Sequence, residues 1–274
     1  ASLQSARGAR VTQLFWVRPV AVERRQPNRP DSTRSLYGAQ LSRSGPRVRT
    51  ELYWLRSETG RASFNGTTGA DRRHSVGARV LRSPAPGRAD ADIEAVWQFG
   101  TVGASNVGAW MIAAQAGRSF AGSRPTRPYV GFDAASGDRQ AGGSVNTFYQ
   151  LYPLSHAYLG FADVHGRQNI VAVNVGAAVQ AARGLTVQVD AHQFHRTSAS
   201  DALYGADGSV SRPAGLGLPR RVGAELDLTL RRVLSGGRLT AQTGASRYFA
   251  GPFLKQSGPG QNISWAYAQI TATF

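Results

Sequence analysis

The sequence predicts an all-β fold, a transmembrane antiparallel up-and-down β-barrel, and three observations carry this prediction. Apolar and polar residues alternate with a period of two along many segments, so each segment has one apolar and one polar face. No run approaches the roughly 18 apolar residues that a membrane-spanning helix requires. Short and long connections alternate between the segments, which is typical of outer-membrane barrels.

The clearest strand signal is residues 221–231, RVGAELDLTLR. Its apolar residues share one parity, and arginines and acids occupy the other. About eleven residues is the length that crosses a bilayer at a tilt. We therefore expect Val222 and the other apolar residues to face lipid, and Arg221 and the acids to face a lumen.

Twelve such strands are predicted, and together they form one barrel domain over residues 1–274. In the first, Val11, Phe15 and Val17 are expected to point outward, and residues 58–72 are expected to form a loop rich in Gly, Thr and Asn. The terminal Phe274 lies on an outward parity, like the assembly signal of outer-membrane proteins. The alternative is a soluble β-sandwich, in which short and long loops are not expected to alternate. The predicted strands are residues 11–20, 36–43, 47–57, 74–82, 92–102, 107–117, 129–135, 170–180, 185–194, 221–231, 239–249 and 263–274.

The chain is strongly basic: Lys+Arg is 32 against 16 Asp+Glu, a formal net charge of +16. Binding of nucleic acid would require the basic residues to cluster on one face, with aromatic or motif support. Here they recur along the whole chain, often at the inward parity, so no nucleic acid partner is predicted. The absence of cysteine suits a protein of an oxidising envelope compartment.

Several motifs around the longest irregular segment resemble the alginate-export family of outer-membrane barrels. They are GFDAASGD at 131–138, FYQLYP at 148–153, HAYLGFAD at 156–163, GRQNI at 166–170 and SDALY at 200–204. The matches run in register over about residues 129–207, with looser similarity to the C-terminus.

This resemblance implies an eighteen-stranded porin with an arginine-rich lumen that passes polyanionic uronate chains. Only about twelve strands are readable, so either N-terminal strands are missing or this member closes a smaller barrel. The resemblance also implies that the loop at 138–169 folds into the lumen and narrows it, whereas its length alone equally allows an external lid.

Inward arginines are the leading functional candidates, because a guanidinium matches carboxylates bidentately and stays charged at any working pH. We expect selectivity to rest mainly on Arg47, Arg49 and Arg79, because acids are scarcer around them. About half of the set is expected to pair with acids such as Glu51, Glu94, Asp133, Asp190, Glu225 and Asp227 and to stiffen the wall. For the arginines near the rim, lipid headgroups or lipopolysaccharide are alternative partners; these arginines are Arg47, Arg127, Arg221 and Arg231. The full set is Arg18, Arg47, Arg49, Arg79, Arg127, Arg221 and Arg231, with Asp133 among the inward acids.

Aromatic residues are predicted to serve two purposes. Tyr129, Trp265 and Tyr267 have inward parity and are expected to stack on sugar faces. Trp54, Trp97 and Trp110 are instead expected to form the aromatic belts that mark membrane interfaces.

Enzymatic and metal-binding interpretations have little support, and no cofactor is predicted. His192 and His195 are three apart on a strand and face opposite sides, so they cannot share a metal. Ser155-His156 lacks a nucleophile motif. Asp201 and Asp207 lie in a Gly/Ser-rich loop where turn chemistry is the simpler explanation than Ca²⁺.

The predicted function is a passive, anion-selective channel in a Gram-negative outer membrane for an acidic polysaccharide or its oligomers. The expected partners are this polysaccharide, outer-membrane lipid and lipopolysaccharide, and periplasmic export components. The alternatives are a small-anion porin and a non-conducting structural or adhesive barrel.

Overall fold

The computed structural model describes residues 1–21, 27–154 and 156–273, which form one large antiparallel sheet and two small strand pairs. Ser155 and Phe274 lie outside the described residues. The strands are β1 (Ser2–Arg7), β2 (Arg10–Val17), β3 (Val20–Ala21), β4 (Arg29–Pro30), β5 (Arg34–Ser44), β6 (Val48–Phe64), β7 (Thr67–Arg82), β8 (Ala89–Val102), β9 (Ser105–Arg118), β10 (Thr126–Ala135), β11 (Ile170–Ala182), β12 (Leu185–Arg196), β13 (Leu203–Tyr204), β14 (Val210–Arg212), β15 (Arg221–Leu234), β16 (Leu239–Ala250) and β17 (Ile263–Ala272).

The large sheet has 13 strands in chain order, and the pairs β3–β4 and β13–β14 stand apart from it. The prediction of an all-β antiparallel fold is confirmed. The expected twelve strands become thirteen because β1 pairs with β2, from Ser2 opposite Phe15 to Arg7 opposite Arg10. Every residue of β1 is exposed and it has no apolar parity, so periodicity could not detect it.

The sheet is open among the described residues. β1 pairs only with β2, and β17 pairs only with β16. The predicted closed barrel is therefore not formed by these strands alone.

The two faces of the sheet follow the predicted alternation over most of its width. In β15, Leu226 and Leu228 are 50% and 43% exposed, while Glu225 and Asp227 between them are 1% and 3% exposed. We call the side with the exposed apolar residues the convex face and the side with the buried polar residues the concave face. Val173 and Val175 of β11 and Phe132 of β10 extend the apolar surface across the convex face.

The predicted orientation is wrong in the first strand. Leu14 and Trp16 of β2 lie on the convex face, 49% and 41% exposed, whereas Phe15 faces the concave side opposite Gly38. A Cβ on Gly38 would lie 2.1 Å from Cζ of Phe15, so the glycine provides the space for this ring. The register with β5, which sequence alone does not fix, decides the orientation.

The predicted orientation is also wrong at the start of β15. The register shifts between Phe194 and His195 of β12, so that Arg221 lies opposite His195. Val222 is fully buried in the apolar core instead of facing outward. A β-bulge of this kind changes the face on which the side chains at the start of β15 lie, relative to the rest of the strand.

Residues 58–72 do not form the predicted loop. β6 and β7 continue as a long hairpin whose turn is Asn65-Gly66, with φ of 41° and 88°. Two positive φ values are what a two-residue hairpin turn needs, and Asn-Gly is its strongest sequence signal. That signal was present in the sequence and outweighs the polar composition of its surroundings.

Short connections join the strands at one end of the sheet, and we call this the turn end. The long connections at residues 136–169, 197–220 and 251–262 lie at the other end, the loop end. The apolar core lies between the sheet and these loops and includes Val102, Ile170, Phe194 and Phe253. The helix α1 (Pro252–Ser257) belongs to this region.

No helix among the described residues is long and apolar enough to cross a membrane.

Candidate functional site: the concave face and its inner loop

Residues 136–169, which we call the inner loop, lie across the concave face of the sheet. The length of this segment allowed either a loop folded inward or an external lid, and the structure shows the loop folded inward. The contacts reach from β7 to β17 and pair Thr147 with Arg73, Tyr149 with Gln98, Arg167 with Asp133, Ala162 with Glu225, His165 with Tyr248, and His156 with Trp265.

Arg73 of β7 holds the first half of the inner loop. Its side chain has no exposed surface, and Nη1 donates to the Thr147 carbonyl and to Oε1 of Gln98, both at 2.9 Å. Nε lies 3.4 Å from Oδ1 of Asp71. A buried cation is stable only when it is paired and hydrogen-bonded, so Arg73 fixes the loop and the wall together.

Two acids of β15 hold the second half of the inner loop. Oε1 of Glu225 accepts the Ala162 N–H at 2.8 Å, and Oδ2 of Asp227 accepts the Phe161 N–H at 3.4 Å. Gly160 has φ of +87°, and a Cβ there would lie 2.5 Å from the Glu225 carboxyl group. The backbone can approach these acids only because residue 160 is glycine.

The predicted sugar-stacking residues of β17 face the concave side but contact the inner loop. The rings of Trp265 and His156 stack with centroids 4.8 Å apart, and those of Tyr267 and Phe161 with centroids 5.4 Å apart. Trp265 and Tyr267 also stack on each other. In this arrangement the loop occupies the aromatic faces.

Between the inner loop and the sheet lies a cavity of about 210 Å³, which we call the central cavity. Two arginines line it, and each is paired with an acid. Nε and Nη2 of Arg79 donate to Asp92 at 2.8 and 2.6 Å, and Nε of Arg167 donates to Asp133 at 3.1 Å. The carboxylates that line the cavity are Asp92, Glu94, Asp133, Asp190 and Asp227. The wall is therefore of mixed charge.

Tyr129 contributes its hydroxyl group to this wall. It donates to Oδ1 of Asp190 and accepts from Nε2 of Gln188 at 2.9 Å. Its ring packs over Gly176 of the neighbouring strand, where a Cβ would lie 2.5 Å from Cζ of Tyr129. Tyr129 and Asp133 thus line the central cavity, as their inward parity predicted.

A second cavity, of about 610 Å³, opens at the turn end of the sheet, and we call it the turn-end mouth. Arg127 and Arg231 both line it. Nε of Arg127 donates to Asp90 at 3.0 Å, and Nη2 donates to Gln115 at 3.0 Å. Arg231 has no hydrogen bond or ion pair with any residue in the described part of the chain, so its charge is available to a solute.

The other predicted arginines lie outside both cavities. Arg49 pairs with Glu51 at 2.6 Å, and Arg47 is exposed in the turn between β5 and β6. Arg18 lies over the ring of the convex-face residue Trp16, 5.5 Å from its centroid. Arg221 is exposed at the bulge. Arg49 and Arg79 therefore both have acidic partners, contrary to the expectation that acids are scarce around them.

Sequence reasoning missed Arg73, Arg167 and Arg196. Arg196 is 1% exposed, and its guanidinium donates to backbone carbonyls of residues 199–219, including those of Ala199 and Pro219 at 3.1 and 3.3 Å. It holds the loop at 197–220 without a carboxylate. The only sequence signal for any of these three arginines is that Arg167 lies in the GRQNI motif at residues 166–170.

Of the two candidate metal ligands, Asp207 has the predicted turn role, whereas Asp201 joins the inner loop to the loop at 197–220. Asp201 accepts the Asp138 N–H at 2.8 Å and the Tyr204 hydroxyl at 2.9 Å, and Asp207 accepts the Ser209 N–H at 2.9 Å. His192 faces the concave side, and no three His, Asp or Glu side chains of the described residues converge in a metal-binding arrangement.

The inner loop contains two groups whose pKa shifts have opposite effects on its stability. Burial raises the pKa of Asp138 to about 6 and lowers that of His165 to about 3. A raised acid pKa makes the folded loop more stable as pH falls through about 6, because the folded state binds the proton first. A lowered histidine pKa makes it less stable as pH falls below about 6.5, because the unfolded state then binds the proton first.

We expect these two effects to cancel in the wild type between about pH 6.5 and about pH 4.5. The free energy of loop opening, measured by amide hydrogen exchange and corrected for intrinsic rates, should then change little. In His165→Gln it should rise as pH falls, and in Asp138→Asn it should fall, each by up to about 1.4 kcal/mol per pH unit. Parallel pH profiles for the two variants would contradict this assignment.

These features together are typical of the wall of a porin: a wide antiparallel sheet, an apolar outer face, a polar inner face and a loop folded across it. The family model for alginate export matches residues 2–264, and the chain belongs to that family. This is a family of outer-membrane porins that is not enzymatic. The resemblance at 129–207 is thereby confirmed and extends over nearly the whole chain. No curated protein matches the sequence.

Proposed function

We propose that this chain forms the wall of a passive, anion-selective outer-membrane channel for an alginate-like acidic polysaccharide or its oligomers. The observation that carries the proposal is the concave face, where arginines line two successive cavities in a member of the alginate export family. A non-enzymatic role for this chain is part of the proposal.

The arginines are arranged so that a polyanion meets them in sequence. Arg127 and Arg231 line the turn-end mouth, and Arg79 and Arg167 line the central cavity. A uronate carboxylate matches the planar fork of a guanidinium. Because three of the four arginines already have acidic or amide partners, each contact is weak, and weak contacts at several sites allow conduction.

The convex face has the features of a surface in contact with lipid. Trp54, Val76, Trp97 and Trp110 lie directly opposite one another along four neighbouring strands, and all are exposed. A row of tryptophans at one height is typical of an aromatic belt. We also propose that both sheet edges are covered in the membrane and the barrel is closed, because an open edge is not tolerated in hydrocarbon. The turn end would then face periplasmic export components.

The test is planar-bilayer recording of the folded protein under a salt gradient. The proposal predicts a conducting, anion-selective pore whose current is blocked by oligouronate and not by a neutral oligosaccharide of equal length. Anion-selective conductance without this block would favour a small-anion porin. Absence of conductance, or cation selectivity, would overturn the proposal and favour a structural surface barrel.

A further inference from the structure

A third cavity, of about 720 Å³, lies on the convex side at the loop end of the sheet, and we call it the outer groove. Trp97 and Trp110 form one side, and Arg139 and Arg220 come from the inner loop and from the loop at 197–220. Neither the central cavity nor the turn-end mouth includes these four residues. The outer groove is therefore separate from the proposed pore.

The outer groove exists because β10 is too short to cover its neighbour. Pairing between β9 and β10 ends at Met111 opposite Ala135, so β9 from Ser105 to Trp110 has no strand beside it there. The inner loop takes that place: Ser136 N–H donates to the Trp110 carbonyl at 2.9 Å, and Gly108 N–H donates to the Val145 carbonyl at 3.0 Å. Because loop backbone and not a strand lies beside this part of β9, a depression forms there on the convex face.

The floor of the outer groove is fixed by hydrogen bonds. Oγ1 of Thr197 donates to the Ala135 carbonyl at 2.7 Å, and Oγ of Ser198 donates to the Asp138 carbonyl at 2.6 Å. Nδ2 of Asn146 donates to the Gly108 carbonyl at 2.9 Å. Because these side chains are already held, a ligand would meet a preformed surface.

Arg139 and Arg220 differ from three of the four arginines of the pore in having no partner among the described residues. Both are exposed, and neither guanidinium makes a hydrogen bond or ion pair with any residue in the described ranges. Arg79, Arg127 and Arg167, by contrast, are each paired with an aspartate. Two free guanidinium groups at one groove favour an anion with several acceptor oxygens, such as a phosphate.

The aromatic side of the outer groove indicates the chemistry of the second part of the ligand. Trp97 lies directly opposite Trp110, and the two side chains are 51% and 39% exposed on the convex face. A tryptophan pair beside exposed arginines suits a molecule with an apolar body and a phosphorylated sugar head at a membrane boundary.

We infer that the outer groove binds the phosphorylated disaccharide headgroup of an outer-leaflet glycolipid, with Arg139 and Arg220 on the phosphate and Trp97 and Trp110 beside the sugar and the acyl chains. This inference rests on the proposed placement of the convex face in the outer membrane. A soluble uronate chain fits less well, because the groove opens on the lipid-facing side and not on the concave face.

The experiment titrates the folded protein in detergent with a bisphosphorylated acylated glucosamine disaccharide and with its dephosphorylated form, and it measures binding by native mass spectrometry. We expect Arg139→Ser/Arg220→Ser to weaken binding of the bisphosphorylated lipid by about tenfold or more. The matched control is Arg183→Ser/Arg238→Ser, which removes two exposed arginines at the turn end. It should bind like the wild type. Retention of the folded band on unheated gels confirms that each variant is folded.

Equal binding of the two lipids by the wild type, or equal binding of the bisphosphorylated lipid by both double variants, would overturn the inference. Displacement of the lipid by oligouronate or by inorganic phosphate would assign the groove to a soluble anion and would also overturn it. Bilayer conductance of the same preparations separates this result from the proposed function. An intact pore without phosphate-dependent binding refutes only the groove, and phosphate-dependent binding without conductance refutes only the channel.

Discussion

Removing the inner loop is expected to raise the single-channel conductance several-fold. The loop crosses the concave face from β7 to β17 and closes one side of the central cavity. The deletion can be closed by a tight turn, because the flanking residues Ala135 and Ile170 are directly paired. Residues 136–169 can therefore be replaced by an Asn-Gly hairpin turn without changing the register of β10 and β11.

A single substitution gives a milder form of the same test. Arg73→Met removes the donors to the Thr147 carbonyl and Gln98 and leaves Asp71 as a buried, unpaired acid, which costs about 3–5 kcal/mol. We expect the loop to detach intermittently and the open-channel current to become noisy and larger. Arg73→Met/Asp71→Asn removes the unpaired charge and should be better folded while retaining the noisy current.

The matched control for the loop experiments is Arg72→Met, the neighbouring residue of β7. Arg72 is exposed and on the other parity, so its removal leaves the loop contacts intact. Conductance is measured in bilayers after the folded state is confirmed by gel mobility. A loop-deleted protein with wild-type conductance would show that the inner loop does not limit the pore.

Neutralising the two arginines of the central cavity is expected to shift the ion selectivity toward cations. Arg79→Gln/Arg167→Gln leaves five carboxylates around the cavity without a guanidinium: Asp92, Glu94, Asp133, Asp190 and Asp227. In a narrow site of low dielectric, uncompensated negative charge attracts cations and repels anions. The reversal potential under a salt gradient should therefore shift toward the value for a cation-selective pore, and the block by oligouronate should be lost.

Two further variants make this selectivity result interpretable. Arg72→Gln/Arg82→Gln removes two exposed arginines from the same strand as Arg79, on the opposite parity, and should keep the wild-type reversal potential. Arg167→Gln/Asp133→Asn removes an ion pair as a unit and tests whether loss of that pair alone disturbs folding. An unchanged reversal potential in Arg79→Gln/Arg167→Gln would move the selectivity filter to Arg127 and Arg231 at the turn-end mouth.

The strands were the most predictable part of the molecule. Alternation over residues 221–231 correctly assigned Glu225 and Asp227 to one face and Leu226 and Leu228 to the other. It failed at Arg221 and Val222, where a bulge changes the facing, and in β2, where pairing with β5 turns Phe15 toward Gly38. In both cases the orientation depends on the neighbouring strand, which a local pattern does not contain.

The candidate site was predictable only in part. Inward parity correctly placed Arg79, Arg127, Tyr129 and Asp133 on the concave face. Their partners were not predictable: Arg79 pairs with Asp92, not Glu94, and Asp133 pairs with Arg167 from the inner loop. A strand shows which side a residue faces, whereas its ion-pair partner depends on distances between several strands.

By itself, the sequence determined an antiparallel all-β wall with an apolar and a polar face, because side-chain alternation is a local property of every strand. Through its motifs it also determined the family. Only the tertiary structure decided that the inner loop lies against the wall, that Trp265 and Tyr267 are covered by His156 and Phe161, and that an arginine-edged groove remains on the convex side. These features depend on contacts such as Ala162 with Glu225, between residues far apart in the chain, and no local pattern encodes them.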